Sequence, residues 1–169
     1  MKTKYKVTFA IIAILAIASW AITFYYWDKL PAVIPIHFGI SGAADGWANK
    51  SVWQVFLIPF IQTAMLALFV FVYKRPQYSN IPSTMWLMAL NDKQQQQAYD
   101  LIRTMNAGVS VFTGALFTYI TFSMNYSAIN FNQNLSSPVI LAVVGLMLVW
   151  VVFWTIKIYK ITKKQITSK

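Results

Sequence analysis

Four long apolar runs alternate with polar stretches along the chain: Val7 to Trp27, Val52 to Tyr73, Arg103 to Met124 and Pro138 to Tyr159. Each is long enough to cross a hydrocarbon core of ~30 Å, which takes about 20 helical residues. The cores of these runs hold no charged side chain. A lipid-exposed strand would leave backbone groups unpaired, so the pattern predicts an all-α integral membrane protein, a four-transmembrane-helix bundle. The chain is expected to form a single membrane domain over residues 1–169, with spans at 7–27, 52–73, 103–124 and 138–159, and it contains no repeat of solenoid type.

The polar stretches carry structure of their own. In the loop at 74–102, Met85, Trp86, Leu87, Met88 and Leu90 form a short apolar patch that suits a membrane interface. Asn91 or Asp92 then caps a helix whose Ala98, Leu101, Ile102 and Met105 share one face, and this amphipathic helix is expected to run unbroken into the third span. Inside the spans, Pro59 is expected to kink the second helix near Gln62. Ser110, Gly114 and Thr118 recur at four-residue steps, a ridge of small residues that lets a neighbouring helix approach, and Gln62 and Asn106 read as interhelical hydrogen-bonding groups. Proton and ion relays use ionisable groups within the bilayer. The span cores have none, which argues against ion-coupled transport.

Composition agrees and adds an orientation. With 58% hydrophobic residues, 11% charged and a mean hydropathy of +0.54, the chain is far more apolar than a soluble domain. Its net charge of +10 sits mostly in lysines and arginines that flank the apolar runs, so it reads as a topology signal and no nucleic-acid role is expected. Lys2, Lys4 and Lys6 precede the first span, Lys74, Arg75, Lys93 and Arg103 lie between the second and third, and five lysines from Lys157 to Lys169 close the chain. The positive-inside bias places both termini and the middle loop in the cytoplasm. Tyr25, Tyr26, Trp27, Trp53 and Tyr126 would form an outer aromatic belt, and Tyr5, Tyr73 and Tyr159 an inner one. Ala16-Ile17-Ala18 mimics a signal cleavage site, but the apolar run continues to Trp27, so the first helix is read as an uncleaved anchor.

The extracytoplasmic loop at 28–51, DKLPAVIPIHFGISGAADGWANKS, concentrates the candidate chemistry: two of the four carboxylates and the single histidine. Pro31 and Pro35 stiffen an extended segment, while Gly39, Gly42 and Asp45-Gly46 suit tight turns with positive φ. The loop is therefore expected to be ordered. His37 with Asp28 and Asp45 is a candidate ligand set for a divalent metal ion. The competing account has His37 bonded to a loop carbonyl or to Asp45, with Asp45 and Lys50 pinning the turn. The second is favoured, because the spacing is not diagnostic and no second histidine exists. No other cofactor is expected. An enzyme is not expected either, since a hydroxyl nucleophile would have to share the one histidine as its base.

Leu30-Pro31, Ile34-Pro35-Ile36-His37-Phe38, Gly42, Asp45-Gly46-Trp47 and Lys50 together resemble a bacterial membrane domain of unknown function, number 1648, which also forms the amino-terminal part of SdpI-like immunity proteins. The resemblance covers roughly the first two spans and is similar again at Asn91 to Arg103. It departs from the pattern at Ala44, where an acidic residue often stands. What the resemblance implies is a protein of the bacterial cytoplasmic (plasma) membrane that protects a producing cell from its own toxic peptide, with Pro35, His37, Gly42, Asp45, Gly46, Trp47 and Lys50 as the motif loop. A sensor or regulatory scaffold that captures a cytoplasmic partner through the middle loop is the alternative. A small-molecule or metal-binding role, and a loop that merely caps the bundle, are the others.

Overall fold

In the computed structural model, residues 3–79, 87, 90–130 and 136–167 are described. Helix α1 spans Thr3–Trp27, strand β1 Val33–Phe38, strand β2 Ala44–Asn49, helix α2 Val52–Lys74, helix α3 Asp92–Asn130 and helix α4 Ser137–Thr167. The four helices are long and apolar enough to cross a membrane, and the chain is a multi-pass membrane protein. The ordered loop adds a two-stranded antiparallel sheet, β1 with β2, to the all-α expectation.

Local chemistry sets the helix ends. After Trp27 the backbone turns over, with Lys29 and Leu30 N–H donating to Tyr26 O, and Pro31 cannot continue the helix. Ser51 caps α2, its extended backbone letting the hydroxyl accept from Gln54 N at 3.3 Å. Arg75 N donates to Phe71 O, and a 3-10 turn at Pro76–Tyr78 follows. Asn91 starts α3 with a reciprocal capping box: Gln94 N donates to Asn91 Oδ1 at 2.9 Å, and Asn91 N donates to Gln94 Oε1 at 3.1 Å. As predicted, that helix continues into the third span without a break. It also extends six residues beyond Met124, and α4 runs past Tyr159 to Thr167, so its lysines 157, 160, 163 and 164 lie on a helix.

At about 1.5 Å per residue, α3 is about 58 Å long, well over the ~30 Å hydrocarbon thickness. It occupies the centre and packs against α1, α2 and α4; α1 and α2 also pack on each other, while α4 rests chiefly on α3. The ends of the bundle differ. At one end Leu30, Ile34, Val55 and Ala128 bury the hairpin onto α2 and α3. At the other, Leu87, Leu90, Ala98, Ile102, Met105 and Ile158 form a second cluster. Thr3 and Thr167 both lie at this second end. Tyr5 is buried there and donates to Asp100 O at 3.0 Å, so it is not the interface-facing belt residue expected of it. Arg103 is held by Tyr73 O and Asp100 Oδ1.

Candidate functional site

The hairpin is the ordered part of the motif loop. Lys50 N donates to Ala32 O and closes its base. The register pairs Val33 with Asn49, Ile34 with Ala48, Pro35 with Trp47, His37 with Gly46 and Phe38 with Ala44, with irregularities on either side of His37. Pro35 has no N–H to give, and a two-stranded sheet leaves it an edge on which that loss is tolerated. In strand β2, Ala44, Gly46 and Ala48 are half-buried and alternate with the exposed Asp45, Trp47 and Asn49.

The turn lies at Gly39–Gly42, closed by Gly39 N to Ala43 O and Gly42 N to Gly39 O, each 2.8 Å. Only Gly42 takes a positive φ, 87°. Asp45-Gly46 is therefore a strand segment, a correction to the turn expected there. Position 46 needs glycine for a different reason: a Cβ would lie 2.8 Å from His37 Cβ across the strands. This close approach brings His37 Nδ1 into a direct hydrogen bond with Asp45 Oδ1, on the exposed side of the hairpin.

His37 and Asp45 are thus joined side chain to side chain. Among the described residues no three His, Cys, Asp or Glu side chains gather, so Asp28 does not join the pair as a third ligand. Lys50 does not pin the turn with Asp45 either. Its Nζ donates to Leu30 O at 3.4 Å and sits 4.7 Å from the centre of the Trp27 ring, tying β2 back to the end of α1. Beneath the hairpin, Ile34, Pro35, Gln54, Thr121 and Asn125 line a crevice of ≈ 20 Å³. That is room for about one water molecule, so an organic ligand has no place under the hairpin. Its outer surface is different: Ile40 at the tip is 96% exposed, and Val33, Ile36 and Trp47 are also exposed.

The polar groups of the spans meet at helix contacts. Gln62 Nε2 donates to Gly114 O at 3.2 Å and to Thr118 Oγ1 at 3.1 Å, and Thr118 Oγ1 donates to Leu15 O at 3.0 Å. Three helices are thereby joined at one level. Gly114 lies against Leu15, as the small-residue ridge requires. Ser110 is buried in that ridge but bonds within its own helix, to Ala107 O. Asn106 reaches Ser79, beyond the end of α2 rather than another span. Helix α2 runs on through Pro59, whose carbonyl accepts from Thr63 Oγ1.

Two contacts had no counterpart in the sequence reading. Ser19 Oγ and Thr121 Oγ1 meet at 2.8 Å, both fully buried. The Trp150 indole lies flat enough on α3 to donate to Met105 O at 3.0 Å, directly over Gly108. In the middle loop Leu87 and Leu90 are packed into the cluster with Ile102 and Ile158. They are not free to receive a partner; Met85, Trp86 and Met88 of the same patch lie outside the described residues.

Residues 14–63 match the family model Domain of unknown function (DUF1648). This stretch is a DUF1648 domain. It takes in most of α1, the whole hairpin and the first half of α2, so the DUF1648 segment carries the His37–Asp45 pair, the Lys50 tether and Gln62 at its far end. No curated protein and no solved structure matches the chain.

Proposed function

We propose that the chain is a non-enzymatic, SdpI-like self-protection protein of the bacterial plasma membrane, with the hairpin on the outer face and both termini in the cytoplasm. Its hairpin recognises an amphipathic toxic peptide at the outer interface and keeps it from inserting. The observation that carries this reading is a hairpin anchored from below by Leu30 and Ile34 yet apolar on its free surface, at Ile36, Ile40 and Trp47. A capping loop has no use for an almost fully exposed isoleucine at its tip. An amphipathic peptide offers apolar side chains to those three residues and backbone groups to the open strand edges. The exposed His37–Asp45 pair stands beside them as a polar contact.

Expression in a cell sensitive to the candidate peptide tests the proposal. The native chain is expected to raise survival above an empty vector, and Ile40→Ser with Trp47→Ala to abolish the gain at matched abundance. Survival equal to the vector across the candidate peptides, or full protection by the double variant, counts decisively against it.

A further inference from the structure

At the centre of the bundle one buried acceptor is left without a donor. Gln62 is 4% exposed and its amide donates through Nε2 to Gly114 O and Thr118 Oγ1, while its Oε1 is buried and accepts from no described residue. Turning the amide over gives no relief, because Oε1 would then meet the Gly114 carbonyl, acceptor against acceptor. Nor does a neighbouring hydroxyl have a hydrogen to spare. That of Thr118 is shared between Leu15 O and Gly114 O, that of Ser110 goes to Ala107 O, and that of Thr113 points to Met147 Sδ. An amide oxygen left unbonded in a dry interior costs free energy, and such atoms are met by protein or by ordered water.

Beside Gln62 lies a cavity of ≈ 10 Å³, lined also by Ile12, Leu66, Phe69, Ser110 and Phe117. Space of about 10–15 Å³ is the least that admits one water molecule, so nothing larger fits. Gln62 and Ser110 bring acceptors to this cavity from two different helices, and a water molecule has two hydrogens to give. We propose that the cavity is a binding site for a single water molecule, which donates to Gln62 Oε1 on α2 and to Ser110 Oγ on α3. It completes the level at which Gln62, Gly114, Thr118 and Leu15 already join three helices. No carboxylate lines the cavity, so a bare cation has nothing there to balance its charge. Ser110 also lines a second cavity of ≈ 10 Å³ with Thr8, Asn106 and Arg103. Water therefore enters from the Arg103 end, past polar side chains, while the Thr118–Leu15 and Ser19–Thr121 bonds close the interior toward the hairpin. The site rests on helix contacts alone and is independent of peptide recognition.

The test is magnetic resonance on the full chain in phosphatidylglycerol–phosphatidylcholine bilayers, deuterated except at exchangeable sites and carrying isotope-labelled glutamine. The Gln62 side-chain amide is identified by the loss of its signal in Gln62→Met, and transfer of magnetisation from water to that amide is followed over time. In the native chain transfer is expected to build up without a lag. Ser110→Val removes one acceptor and fills the cavity with methyl groups, so transfer should be lost. Thr118→Val removes the hydroxyl that could relay protons to the amide, and transfer should persist. The proposal is overturned by no transfer in the native chain, by transfer unchanged in Ser110→Val, or by transfer lost in Thr118→Val, which would make the hydroxyl its source. Where a variant lacks native helix content by circular dichroism, the native chain and the remaining variant decide alone.

Discussion

The pair of helices α1 and α2, and helix α4, are fastened to the same central helix by different means. Helices α1 and α2 are cross-linked to α3 through buried polar groups: Gln62 to Gly114 and Thr118, Thr118 to Leu15, and Ser19 to Thr121. Helix α4 is held by fit. The Trp150 indole is seated over Gly108 and donates to Met105 O, and Ile158 enters the apolar cluster around Ile102. Apolar contact between helices gains little over contact with lipid tails, so close packing and hydrogen bonds decide association in a bilayer. The first region has several such links at different depths, while the second depends heavily on one glycine.

The strongest way to break that contrast is Gly108→Leu. A Cβ alone at position 108 would lie 2.2 Å from the Trp150 ring atoms, closer than any shift of a few tenths of an ångström relieves. The expected outcome is loss of α4 docking, at a cost of about 3 kcal/mol or more, the upper range for overpacking. The chain has no cysteine, so introduced pairs report each contact separately. Thr113→Cys with Met147→Cys should cease to cross-link in this variant, and Ser19→Cys with Thr121→Cys should continue. Trp150→Ala should restore the α3–α4 cross-link in part, by removing the clash.

Next in size is Gly46→Val, which pushes β2 away from His37 and costs about 1–3 kcal/mol. The damage should stay local. Limited proteolysis within residues 33–49 should accelerate, while both cross-links persist. Gln62→Leu comes third. It removes two bonds between α2 and α3, yet Thr118–Leu15 and Ser19–Thr121 remain, so a loss of about 0.6 and at most about 1.7 kcal/mol is expected in a reversible unfolding assay. A loss as large as that of Gly108→Leu would mean that the polar links are not redundant.

The difference between the regions also explains which parts were legible in the sequence. Four spans follow from hydropathy alone, and the capping box at Asn91 announces the start of α3. Its continuation to Asn130 does not, because Asn125 and Ser127 look like loop residues and become buried only against the hairpin end of the bundle. Glycine content marked the motif loop as ordered and pointed to the turn at Gly39–Gly42, but not to the role of Gly46, which serves a close approach, while only Gly42 serves a positive φ. The His37–Asp45 pair was one of two accounts the residues allowed. Gly108 and Trp150 gave no signal, since a glycine that seats an indole is recognisable only once its partner helix is known.

The smallest effect on stability separates the hairpin's architecture from its use. His37 and Asp45 are exposed, with side-chain exposures of 71% and 53%, and solvent screens such a pair to well under about 1 kcal/mol. Lys50, in contrast, ties β2 to the end of α1, so Lys50→Ala should open the hairpin base and speed its proteolysis. His37→Ala or Asp45→Ala should leave unfolding, both cross-links and proteolysis of the hairpin at native values. If the pair helps to receive a peptide, protection falls in these variants at unchanged abundance; if it only braces the turn, proteolysis accelerates and protection is lost with it. Measured side by side in the same cells, the two readouts distinguish a polar contact offered to a partner from one that closes on itself.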